Sequence, residues 1–205
     1  MIIDTLWVED TIESVFPVLC DFFNIHPILC IDREQNGLFP ASTDYKHIIC
    51  NTFKMLDSCL SYKIPISSNL YAFCRTDIVH ILMHEFVHIY TKDWLYRNRS
   101  HYEKNKEYIE GYTERRARQL LTQYYTQLNK ELDLDLGYIR YYIINDAVYK
   151  KIMYSFLTYQ RTKPFKESEI VAIQNYYAQF IPELVFKPKE PFKLDIDNSY
   201  VLNHI

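Results

Sequence analysis

The sequence IVHILMHEFVHIY, residues 78–90, decides the fold that we expect for this chain. Its polar residues are His80, His84, Glu85 and His88, and every other residue is aliphatic, aromatic or methionine. An α-helix that is apolar on all sides is normally buried in the middle of a domain. Burying an unpaired imidazole or carboxylate costs about 2 kcal/mol or more, so these four side chains must have partners inside the protein.

The spacing of the polar residues in this helix is that of a metal site. His84 and His88 are one helical turn apart and face the same side, while Glu85 is rotated by about 100° to the edge of that side. Together they form HExxH, in which two imidazoles bind zinc and the glutamate lies beside the open position of the metal. The competing interpretation is a pair of core histidines satisfied by ordinary hydrogen bonds. His80, one turn before His84, is expected to be a hydrogen-bonded neighbour rather than a fourth ligand.

A second helix offers candidates for a third ligand. A catalytic zinc typically takes three protein ligands, of which HExxH supplies two. In YIEGYTERRARQLL, Glu110 and Glu114 are one turn apart and share a helical face with Ala117 and Leu121. A metal would explain two carboxylates on an otherwise apolar face, whereas the alternative is a solvated charged face. The residues alone leave open which glutamate binds the metal.

Composition excludes several classes of function. Of the 205 residues, 48% are hydrophobic and 24% charged, which is typical of a soluble globular protein. A net charge of −3 gives no electrostatic footprint for nucleic acid or an anionic membrane. The three glycines are far apart, which excludes a glycine-rich phosphate loop. No apolar run approaches the roughly 20 residues that span a bilayer. We therefore expect neither a nucleic-acid partner nor a membrane.

The cysteines and the amino terminus favour a cytoplasmic location. The five cysteines lie in apolar surroundings and include no CxxC pair, so reduced and mostly buried thiols are expected. The first residues have no basic region before an apolar run and therefore no secretory signal.

The sequence predicts a single domain over 1–205 of the α+β class, predominantly helical, with a small N-terminal mixed sheet. In the N-terminal α/β part, 1–75, we expect strands over 1–8, 25–31 and 45–51, a helix from Asp10 or Thr11 to Phe23, another over 52–62, and a surface loop over 32–44. The strand over 45–51 is a candidate edge strand that could align an extended peptide, and the alternative is an internal strand with no role in substrate binding.

The rest of the chain is expected to be helical. The zinc-binding helices fall in 76–128, the first capped by Thr76 and ending near residue 98, the second over 102–128. In the helical C-terminal part, 129–205, a break over 133–137 precedes helices over 138–159 and 166–180. An extended tail with several prolines is expected from residue 182.

The two motifs together resemble a known family. HEFVH followed by Glu110 after 21 intervening residues resembles the gluzincin group of zinc metallopeptidases, in which the third ligand is a Glu on the second helix. Glu110-Gly111-Tyr112 is similar to the NEG-aromatic string of the aminopeptidase branch, with Ile109 in place of Asn. The spacing of Glu110 and Glu114 resembles the thermolysin branch, where a second acid steadies a ligand histidine. The resemblance covers about residues 78–121. Small regulatory HExxH proteases of bacterial mobile elements are a second resemblance.

The resemblance implies a zincin-like fold that binds one Zn²⁺ through His84, His88 and Glu110, with Glu114 as the outer-shell partner of His84 or His88. It implies hydrolysis of a peptide or protein substrate with Glu85 as the general base, and alignment of that substrate along an edge strand. In such families a Tyr or His after the third ligand holds the oxyanion, and the candidates here are Tyr141, Tyr142 and Tyr149.

Two other classes of function compete with a peptidase. One is a non-catalytic protein with a structural zinc, or a degenerate zincin fold used as a binding module. Glu85 distinguishes it, because a structural site needs no carboxylate there and usually has a fourth protein ligand. The other is nucleic-acid binding through Arg115, Arg116 and Arg118, which the net charge disfavours.

Overall fold

Helices dominate the part of the chain that the computed structural model describes, namely residues 2–62, 64, 68–92, 102–144, 168, 171, 175 and 178–181. The elements in chain order are α1 (Thr5–Phe23), β1 (Ile28–Asp32), β2 (Ala41–Thr43), β3 (His47–Asn51), α2 (Thr52–Ser61), α3 (Leu70–Thr91), α4 (Tyr102–Gln123), α5 (Tyr125–Leu132), α6 (Leu136–Tyr138) and a π-helical segment (Ile139–Ile144). The fold is therefore mostly helical with one small mixed sheet, as predicted for the α+β class.

Helix α3, which carries HEFVH, lies at the centre of these elements. It packs against α1, α2, α4, α6 and β2. Its residues Phe73, Ile78, Leu82 and Phe86 are fully buried. The all-round apolar pattern thus corresponds to a helix with neighbours on several sides.

The ends of α3 differ from those predicted. The helix begins at Leu70, not near Thr76, because the Oδ1 atom of Asn69 accepts hydrogen bonds from the backbone N–H groups of Tyr71 (2.9 Å) and Ala72 (3.2 Å). Thr76 lies inside the helix, where its hydroxyl donates to the Ala72 carbonyl. The helix ends at Thr91, before the predicted residue 98, because Lys92 adopts a left-handed conformation with φ of 53°.

The sheet has the order β1-β3-β2, with β1 parallel and β2 antiparallel to β3. The strand expected over 45–51 exists as β3. It is the central strand of the sheet, so the alternative of an internal strand is correct and the edge position is not. Its second neighbour is β2, three residues that lie within the predicted loop over 32–44. A strand of this length has too few alternating residues to be recognised in a sequence.

The prediction of a strand over 1–8 is also wrong, because α1 begins at Thr5. Asp4 caps this helix by accepting the backbone N–H of Trp7 at 2.9 Å. Trp7, Val8, Ile12 and Val15 are buried and follow helical spacing. A helix of 19 residues buries this face, whereas a strand would expose half of it.

The second half is helical, with two differences from the prediction. The helix expected over 102–128 ends at Gln123, and α5 follows directly. The break expected over 133–137 contains Asp133 in a left-handed conformation, after which Asp135 caps α6 by accepting the N–H of Tyr138 at 2.7 Å. The chain then continues as the π-helical segment to Ile144. The predictions for 145–159, most of 166–180 and the tail from 182 fall outside the described residues.

The buried apolar residues of α1, β2, β3, α2, α3, α4, α5 and α6 form a continuous hydrophobic cluster. No helix of the described residues combines the length and apolar character needed to cross a membrane. The candidate site lies between α3 and α4, at the border of this cluster, with His88 buried and Glu110 partly exposed.

We predict that Asn69→Ala lowers the free energy of unfolding by about 1 kcal/mol, because two N–H groups at the start of α3 lose their acceptor. Urea unfolding monitored by circular dichroism measures this change. Asn69→Asp, which keeps an acceptor oxygen, is the control and should stay within about 0.5 kcal/mol of the wild type. Equal stability of all three proteins would contradict the assigned start of α3.

Candidate metal centre

Three side chains from α3 and α4 converge on one point. His84 and His88 come from α3, and Glu110 comes from α4. The Nε2 atoms of the two histidines are 3.1 Å apart, and each is 3.2 Å from Oε2 of Glu110. In the described residues, His84, His88 and Glu110 form the group of His, Cys, Asp and Glu side chains that could hold a metal ion.

The spacing of these atoms fits a small metal ion. A tetrahedral zinc with bonds of 2.0–2.1 Å separates neighbouring ligand atoms by about 3.3 Å. The three observed distances lie just below this value. The atoms are also of the right kind, because two imidazole nitrogens and one carboxylate oxygen suit zinc.

The proton count in this group also favours a cation. Nδ1 of His84 lies 2.8 Å from Oε2 of Glu114, an acceptor, so a neutral His84 carries its proton there and presents a lone pair at Nε2. That lone pair faces Oε2 of Glu110, which is also an acceptor. Two lone pairs at this distance repel unless a cation lies between them or His84 takes a second proton.

The pKa values describe this second case, the protein without a metal. Burial alone would lower the pKa of His84, but its hydrogen bonds with Glu110 and Glu114 outweigh burial and raise the pKa to about 10. For Glu110, burial alone would raise the pKa, and the contacts with His84 and His88 outweigh it and lower the pKa. A proton on His84 therefore occupies the place that a metal ion would take.

Each ligand histidine has an outer partner at Nδ1. Glu114 contacts His84, in the position predicted for an outer-shell residue, and the Thr113 hydroxyl lies 3.4 Å from Nδ1 of His88. Such partners fix the ring orientation and direct Nε2 towards the site. Thr113 is completely buried, and HExxH spacing gives no signal for it.

Glu114 is itself held by a cation from its own helix. Nε of Arg118 donates to Oε1 of Glu114 at 2.6 Å, and its Nη1 donates to the carbonyls of Tyr142 (2.7 Å) and Ile143 (3.1 Å). The sequence groups Arg118 with a solvated cluster, yet it is only 5% exposed. Its spacing of four residues from Glu114 is the signal that could have identified the pair.

His80 does not join the three converging side chains. Its Nδ1 atom is 3.1 Å from the hydroxyl of Tyr138, and its Nε2 atom is 3.0 Å from Oε1 of Glu114. Tyr138 donates in turn to Asp77 at 2.6 Å. Asp77, His80, His84 and His88 follow one stripe of α3 with spacings of three and four residues, so periodicity could have identified Asp77.

Glu85 is 8% exposed and follows His84 on α3. Its charge acts on the pKa of His84, after the larger effects of burial, Glu110 and Glu114. It also acts on Cys50 in β3, where burial first and Glu85 second raise the pKa of the thiol. The Glu85 carboxylate therefore lies within electrostatic reach of both the ligand group and the sheet.

The tyrosines considered as oxyanion donors occupy different environments. Tyr142 packs its ring against Tyr62 and Phe73, with centroid distances of 4.4 and 5.5 Å. Tyr141 is 41% exposed. Tyr149 lies outside the described residues.

Comparison with protein-family models, with curated protein sequences and with solved structures finds no match for this chain. The site is therefore interpreted from its own geometry and chemistry.

Proposed function

We propose that this chain is a zinc-dependent peptidase with a zincin-like fold. The supporting observation is the convergence of His84, His88 and Glu110 on one point, with Glu85 adjacent to His84 in the sequence and within electrostatic reach of it. The resemblance of HEFVH and Glu110 to the gluzincin motifs leads to the same proposal.

Three protein ligands indicate a catalytic rather than a structural zinc. Structural zinc is normally closed by four protein ligands, whereas catalytic zinc keeps one position open. Among the described residues, the group that could hold a metal has the three members His84, His88 and Glu110. A zinc ion bound there would polarise a peptide carbonyl and make a water molecule more acidic.

Three side chains of the chain, in addition to the metal ligands, have roles in the proposed hydrolysis. A carboxylate oxygen of Glu85 accepts a proton from the attacking water and later delivers a proton to the leaving amine. Glu114 and Thr113 hold the ligand imidazoles with Nε2 directed to the site. The buried surroundings of His88 and Glu85 limit access of bulk water, which strengthens these electrostatic effects.

Strand β2 is the best candidate to align a substrate. It is an edge strand of the sheet, and it packs against α3. An extended peptide can add to such an edge by backbone hydrogen bonds, which requires no particular side chains. This role replaces the one considered for residues 45–51, which form the central strand β3.

The second candidate function is a binding or regulatory module with a non-catalytic zinc. The partly exposed Glu110, whose side chain is 37% exposed, is compatible with either function. Zinc content and peptide cleavage, measured separately, distinguish the two.

We predict about one zinc per purified chain and a loss of zinc affinity of more than 100-fold in Glu110→Ala. Removing an outer-shell partner typically costs about 10- to 100-fold in metal affinity, so Glu114→Ala should fall in that range and a ligand variant should exceed it. Competition with a chromogenic chelator measures both. The control is Glu131→Ala, which removes the same charge from an exposed position of α5. A larger loss of zinc affinity in Glu114→Ala than in Glu110→Ala would indicate that Glu114 is the third ligand.

We predict that His84 of the metal-free protein keeps two ring protons at pH 8. Its pKa of about 10 lies above the ordinary value of 6.5, so its contribution to the free energy of unfolding is complete below pH 6.5 and is lost as the pH rises through about 10. Imidazole ¹H–¹⁵N spectra recorded from pH 6 to 11 measure the titration. Zinc should abolish it, because metal and proton compete for Nε2. A His84 titration near pH 6.5 without zinc would contradict the observed contacts.

We predict that Glu85→Gln keeps its zinc but loses peptidase activity by about 10²- to 10⁴-fold, because the amide cannot accept the proton of the water. Cleavage of casein and of a peptide library, followed by mass spectrometry, measures activity. The control is Glu13→Gln, a substitution on the exposed face of α1. A zinc-loaded wild type that cleaves nothing would favour the binding module, and equal activity in Glu85→Gln would exclude the assigned base.

A further inference from the structure

A buried path of polar contacts runs from the start of α3 to the ligand His84. Asp77 is 1% exposed and accepts hydrogen bonds from Ser58 (2.8 Å) and Tyr62 (3.0 Å) as well as from Tyr138 (2.6 Å). A buried carboxylate with this many donors is held firmly in place. The peptidase chemistry uses none of these groups.

The direction of the hydrogen bonds follows from counting protons. Tyr138 has one hydroxyl proton and donates it to Asp77, so the same hydroxyl oxygen must accept from Nδ1 of His80 at 3.1 Å. Asp77 therefore orients Tyr138, and Tyr138 orients the ring of His80. Tyr138 is 1% exposed and His80 is 7% exposed, so water has little access to these bonds.

The oriented His80 ring contacts the outer partner of the metal site. Its Nε2 atom lies 3.0 Å from Oε1 of Glu114, which is an ion-pair distance, although the two atoms are not in hydrogen-bond geometry. The other oxygen of Glu114, Oε2, is 2.8 Å from Nδ1 of His84. Arg118 contacts the same Oε1 atom and fixes Glu114 from a second side. The Glu114 carboxylate, which contacts the His84 ring, is thus hydrogen-bonded by Arg118 and also lies against the oriented His80 ring.

We propose that Asp77, Tyr138 and His80 are positioning residues of the metal site, which act on His84 through Glu114. This inference rests on the metal site of the proposed function but not on peptide hydrolysis. It also explains why a nearly all-apolar helix carries Asp77 and His80 next to its ligands. Asp77 and the Nδ1 atom of His80 are hydrogen-bonded, and the Nε2 atom of His80 lies against Glu114, the residue that holds a ligand ring.

Tyr62 provides a matched control for Tyr138. Both hydroxyls donate to Oδ1 of Asp77, and the Tyr138 hydroxyl also contacts Nδ1 of His80. Tyr62→Phe and Tyr138→Phe therefore make the same chemical change at the same carboxylate. We expect both variants to lose stability, and Tyr138→Phe to lose more, because it also leaves Nδ1 of His80 without its acceptor. Thermal unfolding of the metal-free proteins measures both losses.

Zinc binding should separate the two variants. We expect Tyr138→Phe to weaken zinc binding about tenfold, the lower end of the range for outer-shell residues, and Tyr62→Phe to stay within about twofold of the wild type. In a Glu114→Gln background, Tyr138→Phe should have little further effect, because the path is already interrupted. In the zinc-loaded proteins, the Nδ1 proton of His84 should exchange faster in Tyr138→Phe than in Tyr62→Phe.

Zinc binding by the tyrosine variants can overturn this inference in two ways. Zinc binding that is equally weakened, or unaffected, in the two tyrosine variants would overturn it and leave the zinc of the proposed function in place. An undiminished effect of Tyr138→Phe in the Glu114→Gln background would overturn the route through Glu114. A wild type that binds no zinc would overturn the proposed function and this inference together. If Tyr138→Phe does not fold, His80→Asn interrupts the path nearer to Glu114 and should weaken zinc binding by a similar factor.

Discussion

The structure depends on hydrogen-bond partners for one row of polar side chains on the buried helix α3. Asp77, His80, His84 and His88 lie along α3, and each contacts a side chain from another element. Leaving any of them buried without a partner would cost about 1–3 kcal/mol. The helices α2, α4 and α6 are therefore held on α3 by polar contacts as well as by apolar packing. A shift of α4 by one residue would remove the partners of both ligand histidines at once.

The balance of charge favours a cation at the end of this row. The carboxylates of Asp77, Glu85, Glu110 and Glu114 lie near α3, and the Arg118 guanidinium contacts Glu114. Excess negative charge in a region of low dielectric is costly. Between Glu110 and Glu114 it is offset by a proton on His84, whose pKa is raised to about 10 by these two groups. A divalent cation at Nε2 would offset the same charge with two positive charges, so a proton and a metal ion would compete for the same position.

The sequence predicted this centre better than its surroundings. The apolar run around HEFVH predicted a buried helix, and helical spacing placed Glu110 and Glu114 on one face, because both signals are local. The predicted starts of two helices were wrong, because a capping side chain that the sequence analysis did not identify sets where each helix begins. Asn69 starts α3 earlier than Thr76, and Asp4 makes a helix of residues that resemble a strand. Tyr138 could not be assigned, since its contact with His80 joins segments distant in sequence. For Arg118 the spacing from Glu114 was a usable local signal, whereas its contacts with the carbonyls near residue 142 were not predictable.

The position of the site in the core has a consequence for its chemistry. Ligands on a surface loop would rearrange when a metal or a substrate binds, whereas His84 and His88 are held on a helix packed between α1, α2 and α4. Fixed ligands bind a metal without a large cost in conformational entropy, and fixed dipoles stabilise charge without rearranging during a reaction. Because the ligands are fixed in place, a metal ion must reach them from an exposed side. Glu110 lies on that side, since its side chain is more exposed than that of either ligand histidine. Glu110 thus lies on the Nε2 side of His84, while the buried path from Asp77 reaches the Nδ1 side of the same ring through Glu114.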